Sequence, residues 1–91
     1  MAVQVRIPSI LRRQTNGDEL VLLEGTTISE VLAGLESRYE GLKGKLRGPQ
    51  GEIRRFVNIY VNDNDVRLLD GSTTRVSDGD EVTIIPAVAG G

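Results

Sequence analysis

The chain has 91 residues, enough for one domain and too few for two, and its 38% hydrophobic and 26% charged residues give a soluble globular balance rather than a disordered one. It has no cysteine and no histidine, which excludes disulfides, thiolate nucleophiles, imidazole bases and zinc sites built from those ligands. The formal net charge of −2 argues against a general nucleic-acid binder, which carries a net basic surface.

At the N-terminus, Val3, Val5 and Ile7 alternate with Gln4 and Arg6, the period of a half-buried strand, and Pro8 ends it. This start resembles neither a signal peptide nor a transit peptide, and no apolar run approaches the ~20 residues that span a bilayer. The expectation is a soluble cytoplasmic protein with no membrane partner. Asn16-Gly17 within residues 14–18 marks a turn, because that pair favours positive φ. Residues 19–23 form a second strand, and the two strands make an N-terminal hairpin.

Thr27-Ile28-Ser29-Glu30 fits a capping box, in which a hydroxyl and a carboxylate satisfy orphan amides at a helix start. Ile28, Val31, Leu32, Leu35 and Tyr39 then follow at helical spacing. The helix is expected over 28–39, about 18 Å long at 1.5 Å per residue. Gly41 is placed to stop it, and Gly34 faces away from the apolar stripe. Residues 41–52 read as an exposed glycine- and lysine-rich loop in which Leu42 and Leu46 anchor a short helical turn.

Residues 56–61 form the best strand in the chain, with Val57, Ile59 and Val61 on one face. Residues 62–65 are a turn, and 66–69 a short strand. Asp70-Gly71 and Ser77-Asp78-Gly79-Asp80 are further turns, and residues 81–85 are the last strand, ended by Pro86. Several strands with one amphipathic helix give an α+β fold. The first and last strands lie parallel in the centre of a mixed sheet of four to five strands packed on one main helix. That is the β-grasp (ubiquitin-like) arrangement, with a domain over 1–85 and a flexible tail over 86–91.

Charge is unevenly spread. Residues 43–55 carry five bases (Lys43, Lys45, Arg47, Arg54, Arg55) and one acid, Glu52, whereas 63–81 carry six acids and two bases. Such blocks are solvated faces or an electrostatic handle for protein partners.

The chemistry points to the tail Pro86-Ala87-Val88-Ala89-Gly90-Gly91, which reaches roughly 20 Å when extended. Glycine lets a backbone thread a narrow channel, and a glycine carboxylate at Gly91 is the least hindered that a chain offers. Small residues at a terminus are common, so the tail gains meaning only from its position directly after the last strand.

The stretch Asp78-Gly79-Asp80-Glu81-Val82, followed by Pro86 and Gly90-Gly91, resembles the C-terminus of the ThiS/MoaD-like sulfur carriers. The run from Arg55 to Arg67 through Phe56-Val57-Asn58-Ile59-Tyr60-Val61, the opening Ile7-Pro8-Ser9-Ile10-Leu11-Arg12 and the Pro-Ala-Val-Ala-Gly-Gly ending are most similar to the CysO-type carriers of O-phosphoserine-dependent cysteine biosynthesis.

The resemblance implies a carrier and not an enzyme. An E1-like adenylating and sulfurtransferase enzyme, using ATP and Mg²⁺, activates the Gly91 carboxylate. Sulfur displaces AMP to leave a Gly91 thiocarboxylate. A pyridoxal-phosphate-dependent cysteine synthase takes that sulfur, and a zinc metallopeptidase releases cysteine from the Gly91 adduct. Val88, Ala89, Gly90 and Gly91 enter the partner's active site. Phe56, Tyr60 and Ile85, out of phase with the core residues, are expected on the sheet face opposite the helix as partner contacts, and Ile85 also matches the position where relatives present an apolar residue to partners. The chain itself binds no cofactor and no metal and has no catalytic residue. Without a thiol, any sulfur it carries is not a cysteine persulfide.

Molybdopterin and thiamine carriers use near-identical tails, so the branch stays open, and a ubiquitin-like modifier conjugated through Gly91 shares the activation step. A passive β-grasp interaction module is a further alternative. A plant-type ferredoxin is excluded by the missing cysteines, and the −2 balance does not support an RNA-binding β-grasp module, which prefers a net basic face.

Overall fold

The structure, a computed structural model, describes residues 2–86. Its regular elements are β1 (Ala2–Arg6), β2 (Leu20–Glu24), α1 (Ile28–Arg38), β3 (Val57–Val61), β4 (Asn64–Asp65) and β5 (Glu81–Pro86). The strands form one mixed sheet in the order β2-β1-β5-β3-β4. β1 and β5 pair in parallel at the centre, Val5 opposite Val82, and every other pairing is antiparallel. This is the expected α+β β-grasp.

The alternation in the sequence decides which face is covered. Val3, Val5, Val21, Leu23, Val57, Ile59, Val61, Val82 and Ile84 all point to the helix side and are buried. Ile28, Val31, Leu32 and Leu35 of α1 meet them. Each such side chain contributes roughly 1.5–3 kcal/mol of apolar transfer free energy, so this layer dominates stability. Thr27 caps α1 by accepting from the Glu30 amide. The Glu30 carboxylate reaches one residue further back than a capping box requires, accepting from the Thr26 amide at 2.8 Å and the Thr26 hydroxyl at 2.9 Å. Those bonds hold its pKa below the ordinary glutamate value.

Several local expectations are corrected. The β1–β2 connection is not a bare turn: Ser9–Thr15 winds into a 3₁₀ helix. Thr15, fully buried, donates to the Asp18 carbonyl at 2.8 Å. Only then does the predicted Asn16-Gly17 turn follow, both residues at positive φ. The helix ends on Tyr39 in extended conformation rather than on a left-handed Gly41, which lies in a 3₁₀ turn, Glu40–Leu42. Tyr39 donates its hydroxyl to Asp18 at 3.1 Å. Desolvation, then that bond, raises its pKa. Gly34 does not face away from the packed layer: a Cβ there would lie 3.7 Å from Leu23 Cδ2. Val66–Leu68 is 3₁₀ and not strand, because Asn62-Asp63 alone makes the turn and Asn64–Asp65 already pairs with Val61 and Tyr60. Pro86 is the last residue of β5, opposite Val57.

Residues 43–52 are not a simple exposed loop. The Gly51 amide donates to the Gly48 carbonyl at 3.0 Å, and the Gly48 amide to the Glu52 carbonyl at 2.7 Å. Gly51 stands at φ +84°, where a side chain is strained. Arg47 bridges Ile53 across the turn, so residues 46–54 form a miniature hairpin. It is tied to α1 by the Arg47 guanidinium, which donates to both Glu36 carboxylate oxygens at 2.7 and 3.0 Å.

Candidate docking site at the end of the last strand

β5 carries the chain through the middle of the sheet and delivers it to the edge of the domain at Pro86. The expected tail residues Val88, Ala89, Gly90 and Gly91 lie outside the described residues. What the structure defines is the surface from which they depart.

Two features flank that point. On the sheet face opposite α1, Ile85 stands 46% exposed beside Asn58. It shares a shallow depression of about 240 Å³ with Tyr60, Thr83 and Asn62. The structure therefore brings together two of the three predicted partner-face residues. Phe56 lies elsewhere: it is 50% exposed and lines a larger open groove, about 820 Å³, with Pro86 and Val57 at its base. Pro49 and Ile53 of the miniature hairpin form the facing wall, and Lys45, Arg54, Arg55 and Glu52 stand around it.

Arg67 holds the segment that carries Phe56. Asp65 caps the 3₁₀ turn through the Arg67 amide at 2.8 Å. The guanidinium then crosses to β3. It donates to Asn58 Oδ1 at 2.6 Å, to the Arg55 and Val57 carbonyls at 2.8 Å, and to the Arg54 carbonyl at 3.2 Å. Arg54 in turn donates to the Gly44 carbonyl at 3.1 Å. Composition could not reveal these ties, because they depend on where β4 turns. The hairpin wall did leave a signal: Pro49 and Gly51 at turn spacing between Arg47 and Ile53.

Residues 5–91 match the ThiS family. The chain belongs to the ThiS family. It is 50% identical over 93 residues to the sulfur carrier protein CysO of Mycobacterium tuberculosis, with both chains covered in full. A chain in the crystal structure of the Amycolatopsis orientalis BexX/CysO complex superposes with a TM-score of 0.90 at 47% identity, covering 98% of this chain and 99% of that one. The small archaeal modifier protein 1 of Methanosarcina acetivorans, solved in solution, gives a TM-score of 0.86 at 31% identity over 99% of this chain and 96% of that one. The family and the β-grasp fold read from the sequence both stand.

Among the described residues, no group of three or more acidic side chains is placed to hold a metal ion. No helix among them is long and apolar enough to cross a membrane.

Proposed function

We propose that this ThiS-family chain is a sulfur carrier whose reacting group is the Gly91 carboxylate, and that it serves cysteine formation from O-phosphoserine. The observation that carries this reading is the full-length relationship to CysO together with β5, which runs through the centre of the sheet and ends at Pro86, five residues before Gly91. In the proposed cycle, a Gly91 carboxylate oxygen attacks the α-phosphorus of ATP on an E1-like enzyme, with Mg²⁺ there and pyrophosphate leaving. A sulfide equivalent then attacks the acyl carbon and expels AMP, leaving the thiocarboxylate. The adenylate supplies the leaving group that a bare carboxylate lacks. A pyridoxal-phosphate-dependent synthase consumes the sulfur, and a zinc metallopeptidase hydrolyses the cysteinyl adduct, restoring the carboxylate. The chain supplies no general base and no cofactor of its own; it is the substrate of these enzymes, in the cytoplasm. Val88, Ala89, Gly90 and Gly91 occupy the partner's channel while Ile85 and Tyr60 meet its surface.

The test is incubation of the Gly91 thiocarboxylate with O-phosphoserine and the synthase of the same organism. A protein heavier by one cysteinyl group supports the cysteine branch; no adduct refutes it and favours the molybdopterin or thiamine branch. The likeness to an archaeal modifier supports a second reading, conjugation through Gly91 to lysines. Mass spectrometry of protein purified from its own cells separates the two: a terminus with sulfur in place of oxygen marks the carrier, isopeptide adducts the modifier.

A further inference from the structure

We propose that the groove between the miniature hairpin and the start of β3 docks an acidic segment, bearing one apolar side chain, of the protein that activates the tail; this rests on the carrier reading above. Charge is the first argument. The chain as a whole is −2, yet the groove rim carries Lys45, Arg54 and Arg55 against the single carboxylate of Glu52. Lys45 and Arg55 make no hydrogen bond or ion pair with their side chains among the described residues, and the exposed Glu52 carboxylate accepts from the Gln50 amide at 3.0 Å, leaving three cations against one carboxylate on the rim. The rim therefore presents uncompensated positive charge, which steers an acidic partner and rejects a basic one.

The second argument is the apolar lining. Phe56, Ile53, Pro49 and Pro86 give the groove an apolar lining alongside those cations. A half-exposed phenylalanine held on a fixed backbone is an anchor for an apolar side chain. The backbone is fixed: Arg67 grips the carbonyls of Arg54, Arg55 and Val57, and the Arg47–Glu36 pair holds the opposite wall. Little ordering is left to oppose binding. The groove is open rather than enclosed, which suits a peptide segment better than a small molecule.

The third argument is place. Pro86 forms part of the groove and is the residue from which the chain continues towards Gly91. A partner segment seated here fixes the carrier's orientation beside Pro86, and the Ile85–Tyr60 depression, which shares no lining residue with the groove, offers a second contact near the same strand end. Two anchors flanking one strand end set a direction that one anchor cannot.

The experiment has two arms. In the first, the full chain labelled with ¹⁵N is titrated with an acetylated acidic peptide, Glu-Asp-Phe-Glu-Asp-Leu, with its neutral Gln/Asn counterpart, and with octauridylate. Saturable shifts at Lys45, Gly48, Ile53, Arg55 and Phe56 are expected with the acidic peptide only, weakening at least about tenfold in the K45E/R55E variant. Equal shifts with the neutral peptide, no shift at all, or stronger binding of octauridylate overturn the proposal. The second arm measures adenylation of the carrier by the E1-like enzyme of the same organism. K45E/R55E is expected to raise KM about tenfold with kcat unchanged and to abolish the salt dependence of kcat/KM, with K45Q/R55Q intermediate. An unchanged KM in both variants overturns it. If wild-type protein is not adenylated, the carrier reading fails and the first arm still decides the groove.

Discussion

Replacing Arg67 with alanine removes four side-chain hydrogen bonds at once, to Asn58 Oδ1 and to the carbonyls of Arg54, Arg55 and Val57. Only the bond to Val57 is partly shielded from water. A bond of that kind from a charged donor contributes about 1.5–3 kcal/mol, because its loss strands a carbonyl. The other three face solvent, where water replaces the donor and each contributes only about a few tenths of a kcal/mol. Together they make Arg67→Ala a destabilisation of about 3 kcal/mol, or roughly 12–24 °C in Tm for a domain of this size. The loss concentrates in residues 54–57, so their amides exchange faster while those of β1 and α1 change only with global stability. Arg67→Lys keeps the charge but not the fork, and one ammonium cannot reach four acceptors; it recovers less than half of the loss. Circular dichroism melts give the global term and hydrogen exchange the local one. A Tm shift below about 2 °C with unchanged exchange at 54–57 refutes the assignment and leaves Arg67 a solvated side chain.

Gly34→Ala is expected to stabilise by about 0.5–1 kcal/mol, read as a higher urea midpoint, because the position is helical and the new methyl meets Leu23 Cδ2 at ordinary contact distance; a lower midpoint sinks the packing argument. Glu30 binds its proton less tightly folded than unfolded, its largest cause being the Thr26 amide. Its contribution is therefore complete above the unfolded pKa and is lost as pH falls through the folded one, across and below the ordinary glutamate range. Glu30→Gln should flatten that part of the stability–pH curve and leave the neutral-to-alkaline part parallel to wild type. Arg47→Ala breaks a bidentate pair whose side chains are only 18% and 12% exposed, between the surface and buried limits, and should cost about 2 kcal/mol with faster amide exchange over 46–54; exchange unchanged there would show the hairpin holds itself. Ile85→Asp, at an exposed position, should change stability by no more than about 0.5 kcal/mol yet raise the KM for adenylation roughly tenfold; an unaffected KM removes Ile85 from the partner face.

What the sequence made legible is what apolar period controls. Val3, Val5 and Ile7, the α1 stripe, and Val57, Ile59 and Val61 are buried as their spacing requires, and parallel pairing of the first and last strands follows once the helix covers one face. What it did not show are the segments that polar contacts organise. Residues 9–15 carry no clean period, and their 3₁₀ winding depends on a buried threonine hydroxyl finding the Asp18 carbonyl. Residues 66–69 read as a short strand, but Asp65 accepts from the Arg67 amide and turns the backbone into a 3₁₀ helix at Val66–Leu68 instead. Strand phase puts Ile85 and Tyr60 on the sheet face away from α1, and the structure sets them in one depression there. Phe56 was placed on the same face by the same phase, yet it precedes β3 and turns to the groove, where strand alternation no longer governs it.

The pattern of failure follows from how the domain is held together. The sheet and helix are bound by apolar area, which is nearly insensitive to side-chain direction and so is written in periodicity. Between Leu46 and Val57 the chain offers the core only Ile53, and that stretch is instead clamped by three guanidiniums, Arg47 on Glu36, Arg54 on Gly44, and Arg67 on the β3 approach. Directional ties of this kind hold a wall in place without covering it, so Phe56 and the cations beside it remain presented to solvent. A groove built from apolar packing would have buried the side chains a partner needs to reach. Polar clamping next to the end of β5 is thus the arrangement that lets a 91-residue chain keep both a closed core and an accessible flank beside Pro86.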